Sequence, residues 1–215
     1  MKLYYFLMDM LFPPKCVLCR NLLSKEETDL CGSCREEAPA YPLRKRTPQF
    51  LDSFAAVWYY EGSVRESLLR FKFRGARSYA DAYGRLVAMK LLETAEGDFD
   101  LLTWIPVSRL RKLRRGYDRV ELIAKAVGRE LGMEPVPTLK KIRHNRPQSR
   151  ICDEAKRRAN VLGAYRVTNP EALAGKRVLL LDDILTTGAT MSEAARMLKT
   201  AGAKEVHCAA VAARK

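Results

Sequence analysis

Residues Val178–Thr190 read VLLLDDILTTGAT, and this stretch constrains the fold more than any other in the chain. The apolar run within Lys176–Asp183 is unbroken over Val178–Leu181, the pattern of a strand buried on both faces, which is found where helices cover both sides of a parallel sheet. In open α/β sheets ligands bind beyond the carboxyl ends of the strands. The run ends there in two adjacent carboxylates, Asp182 and Asp183, and Thr186, Thr187, Gly188, Ala189 and Thr190 then turn into a helix. Small and hydroxyl-bearing residues at such a turn let backbone N–H groups converge on one phosphate, aided by the helix dipole. The paired acids suit the vicinal hydroxyls of a ribose. The turn is not a Walker A loop, because the lysine and the GxxxxGK[ST] spacing are both absent. The bland alternative is a plain strand-end turn and helix cap.

The flanking sequence repeats the alternation. Phe54–Tyr60 predicts a strand, and Ser63–Phe73 and Tyr79–Ala95 predict amphipathic helices separated at Gly75. Leu101–Val107 (LLTWIPV) predicts a second buried strand, with Val120–Leu131 as the helix behind it and Gly132 as its stop. Ala189–Ala201 predicts the helix after the turn, and Val206–Ala213 the last strand. This order implies an α/β fold, a parallel sheet with helices on both faces. The segment Leu139–Asn160 breaks the pattern: it holds eight Lys/Arg residues and His144 with little apolar periodicity. It is expected to form a flap or hood over the carboxyl edge of the sheet.

Near the N-terminus Cys16, Cys19, Cys31 and Cys34 form C-x2-C-x11-C-x2-C, while Cys152 and Cys208 stand apart. Two such pairs on tight turns place four thiolates around a zinc ion at ~2.3 Å each. The intervening Arg20–Leu30 is too polar to make a core, so the metal would supply the folding free energy of this unit. Two disulfides are the alternative, and a reducing compartment disfavours them. Four cysteines leave no open position for water, so the zinc is expected to be structural. The opening MKLYYFLMDMLFPPKC predicts a short helix ending at Pro13-Pro14, and Pro39–Pro48 reads as a linker. The expected division is therefore residues 1–45, a helix and a four-cysteine ribbon, and residues 50–215, the α/β domain.

The formal net charge is +14, and Ile105–Asn160 alone carries 16 Lys/Arg against 6 Asp/Glu. Such a concentrated positive field favours a polyanionic partner: nucleic acid, a phosphate-rich metabolite or an anionic membrane surface. No apolar run approaches the ~20 residues needed to span a bilayer. The chain is expected to be cytoplasmic, with a place at the inner face of the cytoplasmic membrane left open.

Position for position, VLLLDDILTTGAT resembles the phosphoribosyl-pyrophosphate motif of type I phosphoribosyltransferases. The wider chain resembles one branch of that superfamily, the ComF/ComFC competence proteins, which join an N-terminal zinc ribbon to a phosphoribosyltransferase-like domain. LFPPKCVLC, RESLLRFKFRGARSYADAYGRLVA, WIPVSRLRKLRRGYDRVELIAKAVGREL and RPQSRICDEAKRRANVLGAY carry that narrower resemblance, which runs from about Leu11 to Ala213.

The resemblance implies that Asp182 and Asp183 hold the ribose hydroxyls and that Thr186–Thr190 hold the 5′-phosphate. It implies that Ser108 and Arg109, after Pro106-Val107, face the β-phosphate, a charged helix start being the alternative. Arg114, Arg115 and Tyr117 around Gly116 would contact phosphate. Arg146, Gln148, Arg158 and Asn160 would close from the hood. Magnesium would bridge the pyrophosphate, held mostly by substrate and water.

In function the resemblance implies a competence protein of DNA uptake and natural transformation, binding phosphoribosyl pyrophosphate and DNA, single strands favoured. A helicase-like ATPase of the uptake machinery is the implied protein partner. The alternatives are an active phosphoribosyltransferase transferring ribose 5-phosphate to a nucleobase-like acceptor, and a ligand sensor built on the same fold. One departure bears on them: where many purine enzymes carry an acid, this chain has Thr186, which removes a candidate general acid/base.

Overall fold

The computed structural model describes residues 13–42, 47–94, 98–143 and 161–215. The expected N-terminal helix, part of the linker and most of the hood lie outside these residues. The strands in chain order are β1 (Ser53–Tyr59), β2 (Leu101–Trp104), β3 (Leu139–Lys141), β4 (Tyr165–Val167), β5 (Arg177–Leu185) and β6 (Glu205–Ala213). The helices are α1 (Gly32–Glu37), α2 (Gly62–Phe73), α3 (Tyr79–Glu93), α4 (Arg109–Arg115), α5 (Arg119–Leu131) and α6 (Ala189–Thr200).

Four strands form the central sheet in the order β1-β6-β5-β2, every pairing parallel. In β5 the side chains alternate between two cores, as its unbroken apolar sequence requires. Val178 and Leu180 pack with Met191, Ala194, Ala195 and Leu198 of α6. Leu179 and Leu181 join the other cluster, with Val87 of α3 and Ile123 and Val127 of α5. Helices thus cover both faces. The helices α3 and α5 approach so closely that a Cβ on Gly84 would lie 2.2 Å from that of Ala126. Asp118 caps α5 by accepting from Val120 N and Glu121 N, and Gly132 ends it in the left-handed conformation at φ 67°.

Two expectations are corrected. The start of the proposed linker covers the outer edge of β1, with Tyr41 N donating to Val57 O at 2.9 Å and Tyr59 N to Pro39 O at 2.7 Å. Pairing spares β1 an open edge. The start of the proposed hood, Leu139–Lys141, is not flap but strand, paired antiparallel with β4 in a separate ribbon. Leu139 and Tyr165 anchor it by burying themselves in the α6-side core, so two apolar anchors outweigh the polarity of their neighbours.

The cysteine module shares the core on the other side. Val17, Leu18 and Leu30 pack in one cluster with Leu68, Phe71 and Tyr83. Ser67 donates its hydroxyl to Val17 O and lies 2.6 Å from the Tyr83 hydroxyl. Arg70 donates to Leu18 O. Arg85 grips Asp29 with both arms, at 2.8 and 2.5 Å. A segment too polar to fold by itself therefore borrows its apolar partners from α2 and α3.

Candidate functional site

The acids sit at the carboxyl end of β5, and the chain turns there into α6. Gly188 adopts φ 77° just before the helix, and a Cβ on it would lie 2.8 Å from Pro48 Cγ. Only glycine meets both demands. The Thr187 hydroxyl is buried in the turn without a hydrogen-bond partner among the described residues, while Thr186 is exposed. A cleft of about 210 Å³ opens beside the turn, lined by Pro48, Phe50, Leu162, Thr187, Ser192 and Arg196 among others.

The two carboxylates have different surroundings. Asp183, 7% exposed, faces Lys72 Nζ of α2 and Arg119 Nη2 of α5, each 3.3 Å from the same Oδ2. Burial opposes its charge, but these two cations hold its carboxyl below the usual range. Asp182 accepts the Asp183 backbone N–H at 2.8 Å. Burial, and then repulsion from Asp183, push it up to about 8. At neutral pH the pair is one anion beside one mostly protonated acid.

The remaining expected contacts are distributed as follows. Ser108 is buried at the cap of α4, a helix of seven residues, and Arg109 is its exposed first residue. Arg114 and Arg115 complete α4, and their side chains lie outside the description, as do Arg146, Gln148, Arg158 and Asn160. Tyr117 stacks under the guanidinium of Arg77, 4.1 Å from ring centroid to Cζ. Asp118, which sequence reasoning passed over, ties the post-β2 segment to α5 by accepting Val107 N at 2.9 Å as well as the α5 amides. Burial raises its carboxyl despite these donors. Lys72 and Arg119 were also missed. Nothing local marks them, since each is one cation among many on an amphipathic helix.

The four cysteines do come together. Their Sγ atoms all lie within 4.8 Å of one another, and those of Cys19 and Cys31 are 3.6 Å apart. That spacing is too long for a disulfide and matches the edge of a tetrahedron whose centre is ~2.3 Å from each sulfur. Burial raises Cys19 and Cys34; it also opposes charge on Cys16, but backbone donors bring that thiol down to about 7. A divalent cation is the counter-charge such a cluster lacks, so the donor set fits structural zinc. The acid pair differs from this donor set. Asp183 is committed to two cations and Asp182 is held largely protonated, so the pair forms no protein cage for a divalent ion, and magnesium here would be carried by ligand and water. His207 is engaged by Ser53 at 2.9 Å and Glu205 at 3.0 Å, a packing role.

The Phosphoribosyl transferase domain family matches residues 115–215, and the Double zinc ribbon domain family matches residues 7–45. Competence protein F of Haemophilus influenzae is 22% identical over 216 residues, covering 89% of this chain and 93% of the relative. Competence protein ComFC of Bacillus subtilis is 27% identical, covering 87% of this chain and 78% of the relative. DNA utilization protein YhgH of Escherichia coli K12 is 23% identical, with 82% and 74% covered. Among solved structures, the glutamine phosphoribosylpyrophosphate amidotransferase of Bacillus subtilis is similar at a TM-score of 0.42 and 23% identity over 61% of this chain, which spans 26% of that structure's length. A zinc ribbon followed by a phosphoribosyl transferase domain, with similarity to competence proteins along most of its length, makes this chain a member of the ComF/ComFC family.

Proposed function

We propose that this protein binds phosphoribosyl pyrophosphate and DNA and serves DNA uptake in natural transformation. The observation that carries the ligand half is the end of β5: an acid pair followed at once by a glycine-pivoted turn into α6, with the Thr187 hydroxyl lacking a partner among the described residues. Asp182 and Asp183 would receive the ribose hydroxyls, and the backbone and hydroxyls of Thr186–Thr190 the 5′-phosphate. Ser108 and Arg109 at the start of α4, with Arg114, Arg115 and Tyr117, belong to the pyrophosphate side in this reading. Magnesium, when bound with the ligand, neutralises pyrophosphate oxygens. Thr186 offers no general acid or base, so the reading is binding rather than turnover.

The DNA half is supported by the basic middle of the chain and by the names of the competence and DNA utilization relatives. Zinc in the ribbon would fix the module against α2 and α3. Among the described residues no helix is long and apolar enough to cross a membrane. A helicase-like ATPase remains the proposed protein partner, met at the inner face of the cytoplasmic membrane.

Calorimetric titration with phosphoribosyl pyrophosphate and magnesium tests the first half. Wild type is expected to bind and Asp182→Ala to bind at least about tenfold more weakly, one lost hydrogen-bonding carboxyl being worth roughly 1.5 kcal/mol or more. Absence of wild-type binding refutes it. For DNA, affinity should fall steeply across a salt series, and indifference to salt rules out an electrostatic interface.

A further inference from the structure

The turn after β5 borders two hollows, and successive residues of it belong to different ones. Thr186, Gly188 and Thr190 line a small hollow together with Asp182, the side that the proposed ligand would occupy. Thr187 and Ala189 line instead the cleft of about 210 Å³, and none of the described residues lines both. The other walls of the cleft are Ser192, Glu193 and Arg196 of α6, the segment Pro48–Phe50 before β1, and Val161 and Leu162 before β4. These walls are held in place. Pro48 packs against Gly188, where a Cβ would meet its Cγ at 2.8 Å. Thr47 Oγ1 donates to Leu51 O at 3.1 Å, and Leu51 N to Pro48 O at 3.3 Å. Glu193 accepts Gly163 N at 2.8 Å, which fixes the end of the Val161–Leu162 wall to α6.

The lining indicates the class of ligand. Phe50 is an exposed aromatic residue on backbone at φ 69°, a left-handed conformation that a bulky side chain adopts only where its surroundings impose it. Leu162, also exposed, adds a second apolar wall. Glu193 is gripped by Arg196 through Nε at 2.8 Å and Nη2 at 2.9 Å, so the charges of the lining cancel. A phosphate or carboxylate gains no net attraction there, although the whole chain carries +14. Gln49 and Ser192 contribute an amide and a hydroxyl, each both donor and acceptor. The volume lies below the ~300–1,000 Å³ of pockets for drug-sized ligands, which leaves room for one ring system. We infer that this cleft binds an uncharged planar heteroaromatic compound, a free nucleobase or its nucleoside, stacked on Phe50 with its polar edge on Gln49 and Ser192. A ring with N–H and C=O edges satisfies both polar groups, whereas an aliphatic ligand would leave them unpaired. This ligand and a phosphate on the turn would sit against different residues of the same loop, so both can be bound at once.

The test titrates adenosine and thymidine calorimetrically into the full chain, with and without excess ribose 5-phosphate, and into Phe50→Gly and Ser192→Ala. Phe50→Gly removes the ring and suits the left-handed backbone, so it is expected to remain folded; matched thermal melts check this. At least one nucleoside should bind wild type, and about tenfold or more weakly in Phe50→Gly, since stacking on an aromatic face supplies much of the affinity for a base. Ser192→Ala should cost a smaller factor, about threefold or more, for one hydrogen bond. Excess ribose 5-phosphate should leave nucleoside affinity within about twofold. Absence of binding by both nucleosides overturns the site, as does an affinity unchanged in Phe50→Gly. Displacement by ribose 5-phosphate also overturns it, because it places the nucleoside in the hollow of the acids. Phe50-dependent nucleoside binding in a protein that binds no ribose 5-phosphate upholds the cleft and discards the reading of the turn.

Discussion

Replacing each acid by asparagine should give opposite effects on stability, although the two residues are adjacent and chemically identical. Asp183→Asn leaves Lys72 and Arg119 facing a neutral amide. Breaking a buried ion pair by removing one partner costs about 3 kcal/mol even after allowance for the partly exposed lysine. For a chain of this size that corresponds to a fall in Tm of roughly 6–12 °C. Asp182 is raised to about 8 against roughly 3.9 in the unfolded chain. The unfolded state ionises first, so the folded state loses stability as pH rises from about 4 towards 8. The shift costs the folded state on the order of a few kcal/mol by pH 7. Asp182→Asn removes that penalty and should leave the protein at least as stable as wild type at pH 7. For Asp183 the sign is reversed: its lowered carboxyl stabilises above about pH 4, and this is lost as pH falls through its folded value. Urea and thermal denaturation of the three proteins at pH 5, 7 and 8 decide the matter. Equal destabilisation of both variants at pH 7 would refute the asymmetric charge assignment.

Two further perturbations address the scaffold. Purified protein should carry one zinc ion per chain, and Cys16→Ser or strong chelation should remove it and unfold the ribbon, because structural zinc supplies on the order of 10 kcal/mol to such modules; metal analysis alongside tryptophan-monitored unfolding reads this, and a metal-free protein of unchanged stability contradicts it. Gly84→Ala gains about 1 kcal/mol of helix propensity but drives a Cβ to 2.2 Å from that of Ala126. Overpacking of that kind costs about 1–3 kcal/mol, so a net loss of roughly 1 kcal/mol in chemical denaturation is expected, and a more stable variant would show that α3 and α5 part without cost.

The features legible in the sequence are those whose cause is local or periodic. Val178–Leu181 announces a two-faced buried strand because its side chains are all aliphatic, and the structure splits them between two cores as that pattern demands. The cysteine spacing announces a tetrahedral site, and the four sulfurs converge. Glycines 116, 132 and 188 mark turns because left-handed backbone is cheap only there. The strand β3 escaped notice because its anchors, Leu139 and the distant Tyr165, are single residues in a polar stretch, and neither makes a pattern alone. The edge cover by Pro39–Tyr41 escaped for the same reason, since it is made by backbone groups that any sequence possesses.

At the site the division is sharper. The sequence by itself determined that two acids and a phosphate-turn pattern stand in succession at the end of a strand, since one continuous segment writes all of it. Only the tertiary structure decided that the acids are unequal. Lys72 and Arg119 arrive from α2 and α5, and the packing of those helices on one face of the sheet aims both cations at Asp183 and neither at Asp182. Charge at a given carboxyl depends on distance and burial, and these are properties of the packed chain rather than of neighbours along it.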